Sequence, residues 1–313
     1  MRSILVVGCG AIGGIFAAYL ARSAEVVALD ANAAHVEAIN RDGLKLTGSS
    51  QMVARMSAIT DPSEAARHRF DAVIILVKSM LTESVFRTLK PHLSGRPVVV
   101  TLQNGMGNAE TLEQLCDWDV AHGFSMEAGR CVGPGEVVHY LHGEETWIGP
   151  TRGRIENLAW LAELLSESGI RTTAVADPRG AIWSKFIFNC VVNPLGALLL
   201  GENRARYEVP EVATLIDEMI AEGVRVAEAQ GIELMFDPMH VITKTRSGEL
   251  PMTKHASSMA LDVAAGLDTE IEALTGYMVR KAKVLGVAVP VSETVYRLAK
   301  GVEYAAKVRA GRI

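Results

Sequence analysis

The fold is decided by residues 4–13, which read Ile4-Leu5-Val6-Val7-Gly8-Cys9-Gly10-Ala11-Ile12-Gly13. The apolar run predicts a buried strand, and the apolar segment that follows the glycines predicts a helix to about Arg22. In the pattern G-x-G-x-x-G, the first glycine permits a tight turn, the second lets a pyrophosphate approach, and the third lets the helix pack closely. We therefore predict that residues 8–13 bind a dinucleotide at a helix N-terminus, with an ordinary tight turn as the alternative.

An acidic residue after the second predicted strand indicates which dinucleotide binds. Asp30 follows the run at residues 26–29 and lies 20 positions after Gly10. A carboxylate at this point of the fingerprint accepts hydrogen bonds from both adenosine ribose hydroxyls and repels a 2′-phosphate. Asp30 therefore favours NAD(H) over NADP(H), although a solvated aspartate that starts a turn would give the same sequence.

Strand-like and helical segments alternate through the first half of the chain. Short apolar, often β-branched runs recur at residues 4–7, 26–29, 72–77, 98–101 and 120–122. This alternation predicts a Rossmann-type, doubly wound parallel sheet. Residues 129–150 are rich in Gly and Pro with short strands, and a helix near 155–167 and a strand near 171–175 complete this half.

Strand signals disappear after residue 177. The rest of the chain predicts helices at 181–200, 209–230, 237–245, 256–264, 269–285 and 292–308, with breaks at Gly231, Pro251 and Pro290. A chain of 313 residues also exceeds the usual size of one hydrophobic core. We therefore predict an α/β protein with a dinucleotide-binding Rossmann domain at 1–176 and an all-helical substrate and catalytic domain at 177–313.

Composition narrows the class of partner. The net charge is −5, with basic and acidic residues mixed along the chain, so we expect neither nucleic acid nor a membrane as a partner. The apolar N-terminal run is too short for a signal peptide, which favours a cytoplasmic location. Long apolar helices in the second half are compatible with a homodimer or with that domain's own core. A small molecule is the expected partner.

Metal binding has little support in the sequence. The four cysteines are widely spaced and form no Cys-x-x-Cys pair, so we expect free thiols. His139 and His142 form a close pair, but they lie in a Gly-rich stretch that predicts a hairpin and not a metal-binding helix. The sequence therefore predicts no metal site.

Two polar positions follow predicted strands. Lys78 comes after the run at 72–77, and Asn104 belongs to Gln103-Asn104-Gly105-Met106-Gly107, which follows the run at 98–101. Ligands in open parallel sheets bind beyond the carboxyl ends of the strands, so both positions are candidates for ligand contact. A solvated lysine and a plain Asn-Gly turn remain alternatives.

Polar residues form a stripe on an otherwise apolar predicted helix. Lys185, Asn189 and Asn193 are spaced i, i+4 and i+8, within about 80° around the helix axis. Because burying them without partners would cost about 1–3 kcal/mol per group, a ligand-facing cleft explains the stripe. Alternatively, the asparagines bond to neighbouring backbone and the lysine reaches water. Pro194 predicts a kink or break.

Two further polar residues stand near predicted helix starts. Ser258 follows Ser257 in the segment His255-Ala256-Ser257-Ser258-Met259, and Glu270 lies in Asp268-Thr269-Glu270-Ile271-Glu272. Both segments contain residues that cap helices, so capping or a solvated first-turn carboxylate also explains them.

Taken together, these motifs resemble those of the ketopantoate reductase (2-dehydropantoate 2-reductase) family. The resemblance extends over nearly the whole chain and rests on six short motifs in this order: the glycine loop, Val77-Lys78, Asn104-Gly105-Met106-Gly107, Trp183-Ser184-Lys185 with Asn189 and Asn193-Pro194, Ser257-Ser258-Met259 with Asp262, and Thr269-Glu270-Ile271-Glu272.

The resemblance implies hydride transfer from a nicotinamide cofactor to a branched 2-keto acid, with Lys185 as the general acid on the keto oxygen. It implies that Glu270, Asn189 and Asn193 hold substrate hydroxyls, with Glu270 counted as a catalytic residue beside Lys185. It also implies that Ser258 and Asn104 contact the carboxylate, that Lys78 lies near the cofactor, and that Asn104 contributes to cofactor binding as well. A cationic lysine suits this reaction because the ketone develops oxyanion character as it receives hydride.

Two departures leave alternatives open. Asp30-Ala31-Asn32 stands where relatives that use NADPH usually carry an arginine, and Gly123-Phe124-Ser125-Met126-Glu127 is bulkier and more acidic than is usual for the family. An NAD-dependent D-2-hydroxy acid dehydrogenase, resembling those that act on D-mandelate, is therefore an alternative. A dinucleotide-sensing protein without turnover is a second one.

Overall fold

The computed structural model describes residues 1–250 and 256–313. The described chain forms two compact units. The first consists of Met1–Gln103 and Asn108–Pro178, and the second of Asn104–Gly107 and Arg179–Ile313. The chain therefore enters the second unit briefly at Asn104 before returning to the first.

The first unit contains two sheets. Its strands are β1 (Ser3–Val7), β2 (Glu25–Leu29), β3 (Leu44–Gly48), β4 (Met52–Ala54), β5 (Ser57–Ile59), β6 (Ala72–Ile75), β7 (Val98–Thr101), β8 (Val120–Phe124), β9 (Ala128–Gly133), β10 (Glu136–Leu141), β11 (Thr146–Arg152) and β12 (Thr172–Ala174). The larger sheet has the order β12-β11-β8-β7-β6-β1-β2-β5, and the smaller has the order β4-β3-β10-β9. Strands β5 to β8 with β1 and β2 pair in parallel, whereas β11 runs antiparallel to β8.

Strand β1 lies near the centre of the larger sheet, and both of its faces are buried. Ile4 and Val6 belong to the core shared with α1 (Ala11–Leu20), and Leu5 and Val7 belong to the core on the opposite face. Side chains alternate across a strand, so a parallel strand covered on both faces has to be apolar throughout. The other helices of this unit are α2 (Ala33–Asp42), α3 (Thr82–Leu89), α4 (Asn108–Leu115) and α5 (Ala159–Ser168).

The second unit is helical. Its helices are α6 (Arg179–Leu198), α7 (Ala205–Glu208), α8 (Pro210–Glu228), α9 (His240–Arg246), α10 (Ser258–Ala264), α11 (Thr275–Leu285) and α12 (Pro290–Arg309). Helix α6 packs against α8, α10, α11 and α12, and its apolar side chains form much of the core of this unit. A helix that is apolar nearly all round is expected at such a central position.

Several details differ from the sequence-based predictions. The small sheet includes β3 and β4, which were not predicted. Strand β6 ends at Ile75, two residues before the end of the predicted run. Helix α6 runs through Pro194 without a break, because neighbouring helices pack around it. Helix α11 begins at Thr275, since the carbonyl of Ala273 accepts a hydrogen bond from the Met106 amide outside the helix. The predicted break at Pro251, and His255 in the Ser258 segment, lie outside the described residues.

Candidate active site

The first and third glycines of the loop at 8–13 are required by close backbone contacts. Gly8 has φ of 87°, and a Cβ there would lie 2.7 Å from the Val77 amide nitrogen. A Cβ on Gly13 would lie 1.8 Å from the Gly8 carbonyl oxygen. Both side chains are excluded because the turn, the end of β6 and the first turn of α1 meet here. The loop therefore has the tight geometry of the dinucleotide fingerprint.

The second glycine faces open space. A Cβ built on Gly10 meets no atom of the described residues within 4 Å, and its φ of −66° is accessible to any residue. Gly10 is the N-cap of α1, and the first turn of that helix carries no acidic side chain. Helix N-termini attract anions through their free amide groups and the helix dipole. The open helix N-terminus thus fits a pyrophosphate, for which the backbone amides of Ala11 and Ile12 would be the donors.

Asp30 is held against the glycine loop by backbone amides. Its Oδ2 accepts a hydrogen bond of 2.9 Å from the Cys9 amide, and its Oδ1 accepts one of 2.9 Å from the Asn32 amide. Each carboxylate oxygen can accept a further hydrogen bond, so the group can also receive ribose hydroxyls. The Cys9 side chain is buried in the core, and burial raises the pKa of its thiol. A dinucleotide could therefore contact the backbone of Cys9 but not its side chain.

Lys78 lies at the carboxyl edge of β6, beside a buried polar network. It is half-buried and precedes a short 3₁₀ helix at Ser79–Leu81. The Gln103 amide donates to the Val77 carbonyl oxygen at 2.6 Å and to the Thr82 hydroxyl at 2.8 Å, and Thr82 donates to the Asn108 side chain at 2.9 Å. This network fixes the backbone on which Lys78 is carried. The sequence analysis missed it because its members are far apart in the chain.

In the second unit, the predicted stripe lies along α6. Asn189 and Asn193 are each 8% exposed, and Lys185 is half-buried. Desolvation lowers the pKa of Lys185 to about 8. An ammonium with a pKa near neutrality can give up its proton more readily than an ordinary lysine, which suits a general acid.

A hydrogen bond joins two of the predicted site residues. The Asn189 amide donates to Asn104 Oδ1 at 3.3 Å, and the Met106 amide donates to the Ala273 carbonyl oxygen at 2.8 Å. Gly105 is needed for this approach, because its φ is 85° and a Cβ there would lie 2.7 Å from the same carbonyl oxygen. The loop at 104–107 therefore sits on the turn that carries Glu270.

Glu270 and Ser258 occupy different local environments. Glu270 is half-buried at the start of a hydrogen-bonded turn, where its carbonyl accepts from the Ala273 and Leu274 amides. Ser258 is exposed at the first residue of α10, and the preceding Ser257 caps that helix by accepting from the Ala260 amide. Ser257 Oγ also donates to the Asn193 carbonyl oxygen at 3.4 Å, which joins the start of α10 to α6.

A buried arginine at the end of the polar stripe was not found from the sequence. Arg206 is 6% exposed, and its Nε and Nη2 have no hydrogen-bond partner among the residues that the structure describes. A Cβ on Gly196 would lie 2.5 Å from Nη2 and 2.3 Å from Ser257 Oγ, so this glycine makes room for the guanidinium. Burial lowers the pKa of Arg206. Buried cations need compensating anions, which makes this guanidinium a candidate anion site.

The fold and the two sets of residues define a class. A Rossmann-type unit with an open phosphate loop and a helical unit that carries a lysine of lowered pKa among buried amides are the parts of a dinucleotide-dependent oxidoreductase.

Comparison with known proteins identifies the family. The family model described as ketopantoate reductase PanE/ApbA matches residues 4–153, and the model of the C-terminal part of the same family matches residues 177–303. The chain belongs to the ketopantoate reductase family, which is a family of oxidoreductases. The predicted family and α/β fold class are therefore confirmed, and a nicotinamide cofactor is supported.

Individual relatives cover the chain almost completely. The 2-dehydropantoate 2-reductase of Halobacterium salinarum is 34% identical over 95% of this chain and 97% of its own. A PanE/ApbA family ketopantoate reductase from Ralstonia eutropha JMP134 has a TM-score of 0.86 at 32% identity, covering 98% of this chain and 100% of its own. A D-mandelate dehydrogenase, solved with NADH and anilino(oxo)acetate, has a TM-score of 0.85 at 25% identity, covering 97% and 99%.

Within the described residues, one helix passes a length and composition test for crossing a membrane. It is α6, whose most apolar window has a mean hydropathy of 1.2 and is 83% buried inside the protein. Core helices of globular proteins pass the same test, so α6 is weak evidence for a membrane span.

Proposed function

We propose that this chain reduces a branched 2-keto acid, similar to 2-dehydropantoate, to the 2-hydroxy acid with a nicotinamide cofactor. The observation that carries the proposal is the hydrogen-bonded cluster in the second unit. Asn104 bonds to Asn189, and its loop rests on the turn of Glu270. The residues that the family resemblance assigns to the substrate are thus tied to helix α6, which also bears Lys185.

The reaction requires a proton and a site for a developing negative charge. When bound, the cofactor supplies a hydride to the carbonyl carbon of the substrate. The Lys185 ammonium donates a hydrogen bond to the keto oxygen, stabilises the charge that develops there, and transfers its proton to give the hydroxyl. Lys185 is then neutral and recovers a proton from solvent before the next turnover.

The remaining polar groups position the substrate. We assign Glu270, Asn189 and Asn193 to the substrate hydroxyls, and Asn104 and Ser258 to its carboxylate. Arg206 is an additional candidate for the carboxylate, because its buried guanidinium has two unpaired donor atoms among the described residues. Bidentate pairing of a guanidinium with a carboxylate fixes orientation as well as charge. Lys78 is assigned to the cofactor.

The cofactor preference is a further part of the proposal. Asp30 carries a negative charge at the glycine loop, where a 2′-phosphate would be repelled, and this favours NAD(H) over NADP(H). The NADH in the D-mandelate dehydrogenase structure supports the same choice. We expect Asp30→Ala to lower the ratio of NADH to NADPH efficiency, whereas an unchanged ratio would refute the role of Asp30.

An NAD-dependent oxidation of a D-2-hydroxy acid is the second candidate. It is favoured by the structural similarity to D-mandelate dehydrogenase over 97% of this chain. A sensor without turnover would leave the polar cluster of α6 unexplained. Domains at 1–176 and 177–313, a homodimer and a cytoplasmic location stay predictions.

The proposed function is tested by a matrix of initial rates. NADH and NADPH are each assayed with 2-dehydropantoate and with phenylglyoxylate, the keto acid related to mandelate, and NAD is assayed with the hydroxy acids. The proposal expects the highest kcat/KM for NADH with 2-dehydropantoate. A dominant rate with phenylglyoxylate or mandelate would select the second candidate. No cofactor turnover with any of these acids would favour the sensor.

A further inference from the structure

The two histidines that the sequence analysis set aside meet a carboxylate in the folded chain. Glu127 precedes β9, His139 lies in β10, and His142 directly follows β10. His139 Nε2 contacts Glu127 Oε2, and His142 Nδ1 lies 3.1 Å from Glu127 Oε1. One ligand atom from each residue can be chosen so that all three lie within 4.8 Å of one another. Spacing along the chain could not reveal this group, because the β9–β10 hairpin brings its members together.

The hairpin geometry explains why both imidazoles reach the same carboxylate. Residues three apart in a regular strand point to opposite faces. The pairing of β10 with β9 shifts register between His139 and Leu141, and such irregularities re-aim the side chains that follow them. His142 is consequently directed to the same side as His139.

The outer nitrogen of each imidazole is held by a hydroxyl group. His139 Nδ1 lies 2.6 Å from Ser50 Oγ, and His142 Nε2 lies 3.1 Å from the Tyr19 hydroxyl. The two hydroxyls are 2.6 Å apart, and the Tyr19 ring stacks on the His142 ring. Metal-bound histidines are oriented in this way, with the second nitrogen hydrogen-bonded to an oxygen. The arrangement leaves His139 Nε2 and His142 Nδ1 directed at Glu127.

The buried carboxyl group of Glu127 also favours a bound cation. Its side chain and that of His139 are fully buried, and its ion-pair partners within the described residues are the two histidines, with no Lys or Arg. A buried carboxylate is costly without a compensating positive charge. A divalent cation would supply that charge, and two imidazoles with one carboxylate are a common set of ligands for zinc and other first-row metals.

We propose that Glu127, His139 and His142 bind a divalent transition-metal ion, for which Zn²⁺ is the probe. The side chain of His142 is 27% exposed, so the ion can enter, and a solvent molecule can complete the coordination, from that side. Tyr19 lies near the end of α1 remote from the glycine loop, about 12 Å along the helix from Ala11. The metal therefore acts outside the dinucleotide loop, where it ties the segment before β9 to β10 and stabilises the first unit, while Tyr19 of α1 holds one of its ligands by a hydrogen bond.

The experiment compares His142→Gln with a matched control, His68→Gln. The side chain of His68 is 26% exposed, and its Nδ1 lies 3.6 Å from a Glu25 oxygen, so it is a similar histidine with a carboxylate nearby, but among the described residues it belongs to no group that could hold a metal ion. Full-length protein is stripped with a chelator and titrated with Zn²⁺ against a chromophoric competitor. We expect one tight Zn²⁺ per chain in the wild type and in His68→Gln, and its loss in His142→Gln and Glu127→Gln.

Two further readouts separate a coordinated metal from a metal-free hydrogen-bonded cluster. Ser50→Ala and Tyr19→Phe keep all three ligands, and we expect them to weaken Zn²⁺ binding by about 10–100-fold. Zn²⁺ should also raise the thermal midpoint of the wild type and of His68→Gln but not of His142→Gln. Equal Zn²⁺ binding by the wild type and His142→Gln, or none by either, would overturn the proposal.

Discussion

Lys185 is the residue whose chemistry is most affected by its surroundings. It lies on α6, a helix that is apolar nearly all round, and desolvation there lowers its pKa to about 8. The same burial that makes a lysine costly in the core makes it a better proton donor near neutral pH. At the other end of the stripe, Gly196 leaves room for the Arg206 guanidinium beside Ser257. A lysine that can donate a proton at one end of the stripe and a guanidinium at the other would suit the keto oxygen and the carboxylate of a keto acid.

The pH dependence of keto acid reduction follows from Lys185. A general acid must be protonated, so kcat/KM should be constant below its pKa and fall by about tenfold per pH unit above about 8. Steady-state rates across this range measure the effect. Lys185→Arg, which stays protonated, should abolish the decline even though its turnover is lower. A decline with the same midpoint in Lys185→Arg would assign it to another group.

Arg206 is predicted to anchor the substrate carboxylate. Arg206→Met keeps most of the buried volume but removes the charge, and we expect KM for the keto acid to rise by about 10–100-fold, as for the loss of a charged hydrogen bond. Arg204→Met is the control, because Arg204 lies two residues before Arg206 and is exposed, where it pairs with Glu208. Equal KM values for the two variants would remove Arg206 from the site.

At the scale of elements, the β1–α1 connection combines two different uses of glycine. A side chain at Gly13 would clash with the Gly8 carbonyl oxygen, whereas a side chain at Gly10 would face open space. The first is thus a requirement of folding, and the second becomes a requirement when an anion occupies the helix N-terminus.

These two glycines give a paired prediction. Gly13→Ala should lower the free energy of unfolding by about 1–3 kcal/mol or more, because its Cβ would overlap the Gly8 carbonyl. Gly10→Ala should leave the free energy of unfolding nearly unchanged but weaken dinucleotide binding by about tenfold or more. Denaturant unfolding and a fluorescence titration with NADH measure the two effects. Unchanged NADH affinity in Gly10→Ala would place the pyrophosphate elsewhere.

How far the sequence predicts each element depends on how local its signals are. The Rossmann strands and α6 were predicted nearly in full, because apolar runs and glycine spacing are local patterns. Short strands were predicted where β9 and β10 lie, but β3, β4 and β5 were missed, since they are short and partly exposed and β3 pairs with β10 across some ninety residues. Arg206 and the group of Glu127, His139 and His142 were missed for the same reason. These residues are recognised as candidate sites only from contacts between distant segments, at Gly196 for Arg206 and across the β9–β10 hairpin for the other three.

For the molecule as a whole, a buried histidine couples stability to pH. His122 lies in β8 and is 4% exposed, and desolvation lowers its pKa from 6.5 to about 4. The folded protein therefore holds this side chain neutral, while the unfolded chain takes up a proton below about pH 6.5. Its contribution is present above that pH and is lost as the pH falls towards 4.

The expected loss of stability from His122 is about 3 kcal/mol over this window, because its pKa is 6.5 in the unfolded chain and about 4 in the folded protein. Urea unfolding of the wild type and of His122→Gln at several pH values measures it. The variant should show a shallower dependence on pH than the wild type. Parallel curves for the wild type and His122→Gln would contradict the assignment.

The most direct test of the proposed reaction is a comparison of the wild type with Lys185→Ala, using saturating NADH and 2-dehydropantoate. Loss of the general acid should lower kcat by about 10²–10⁴-fold, while NADH affinity measured by fluorescence stays close to that of the wild type. Near wild-type turnover by Lys185→Ala would contradict the account, because the proton would then have to come from another group.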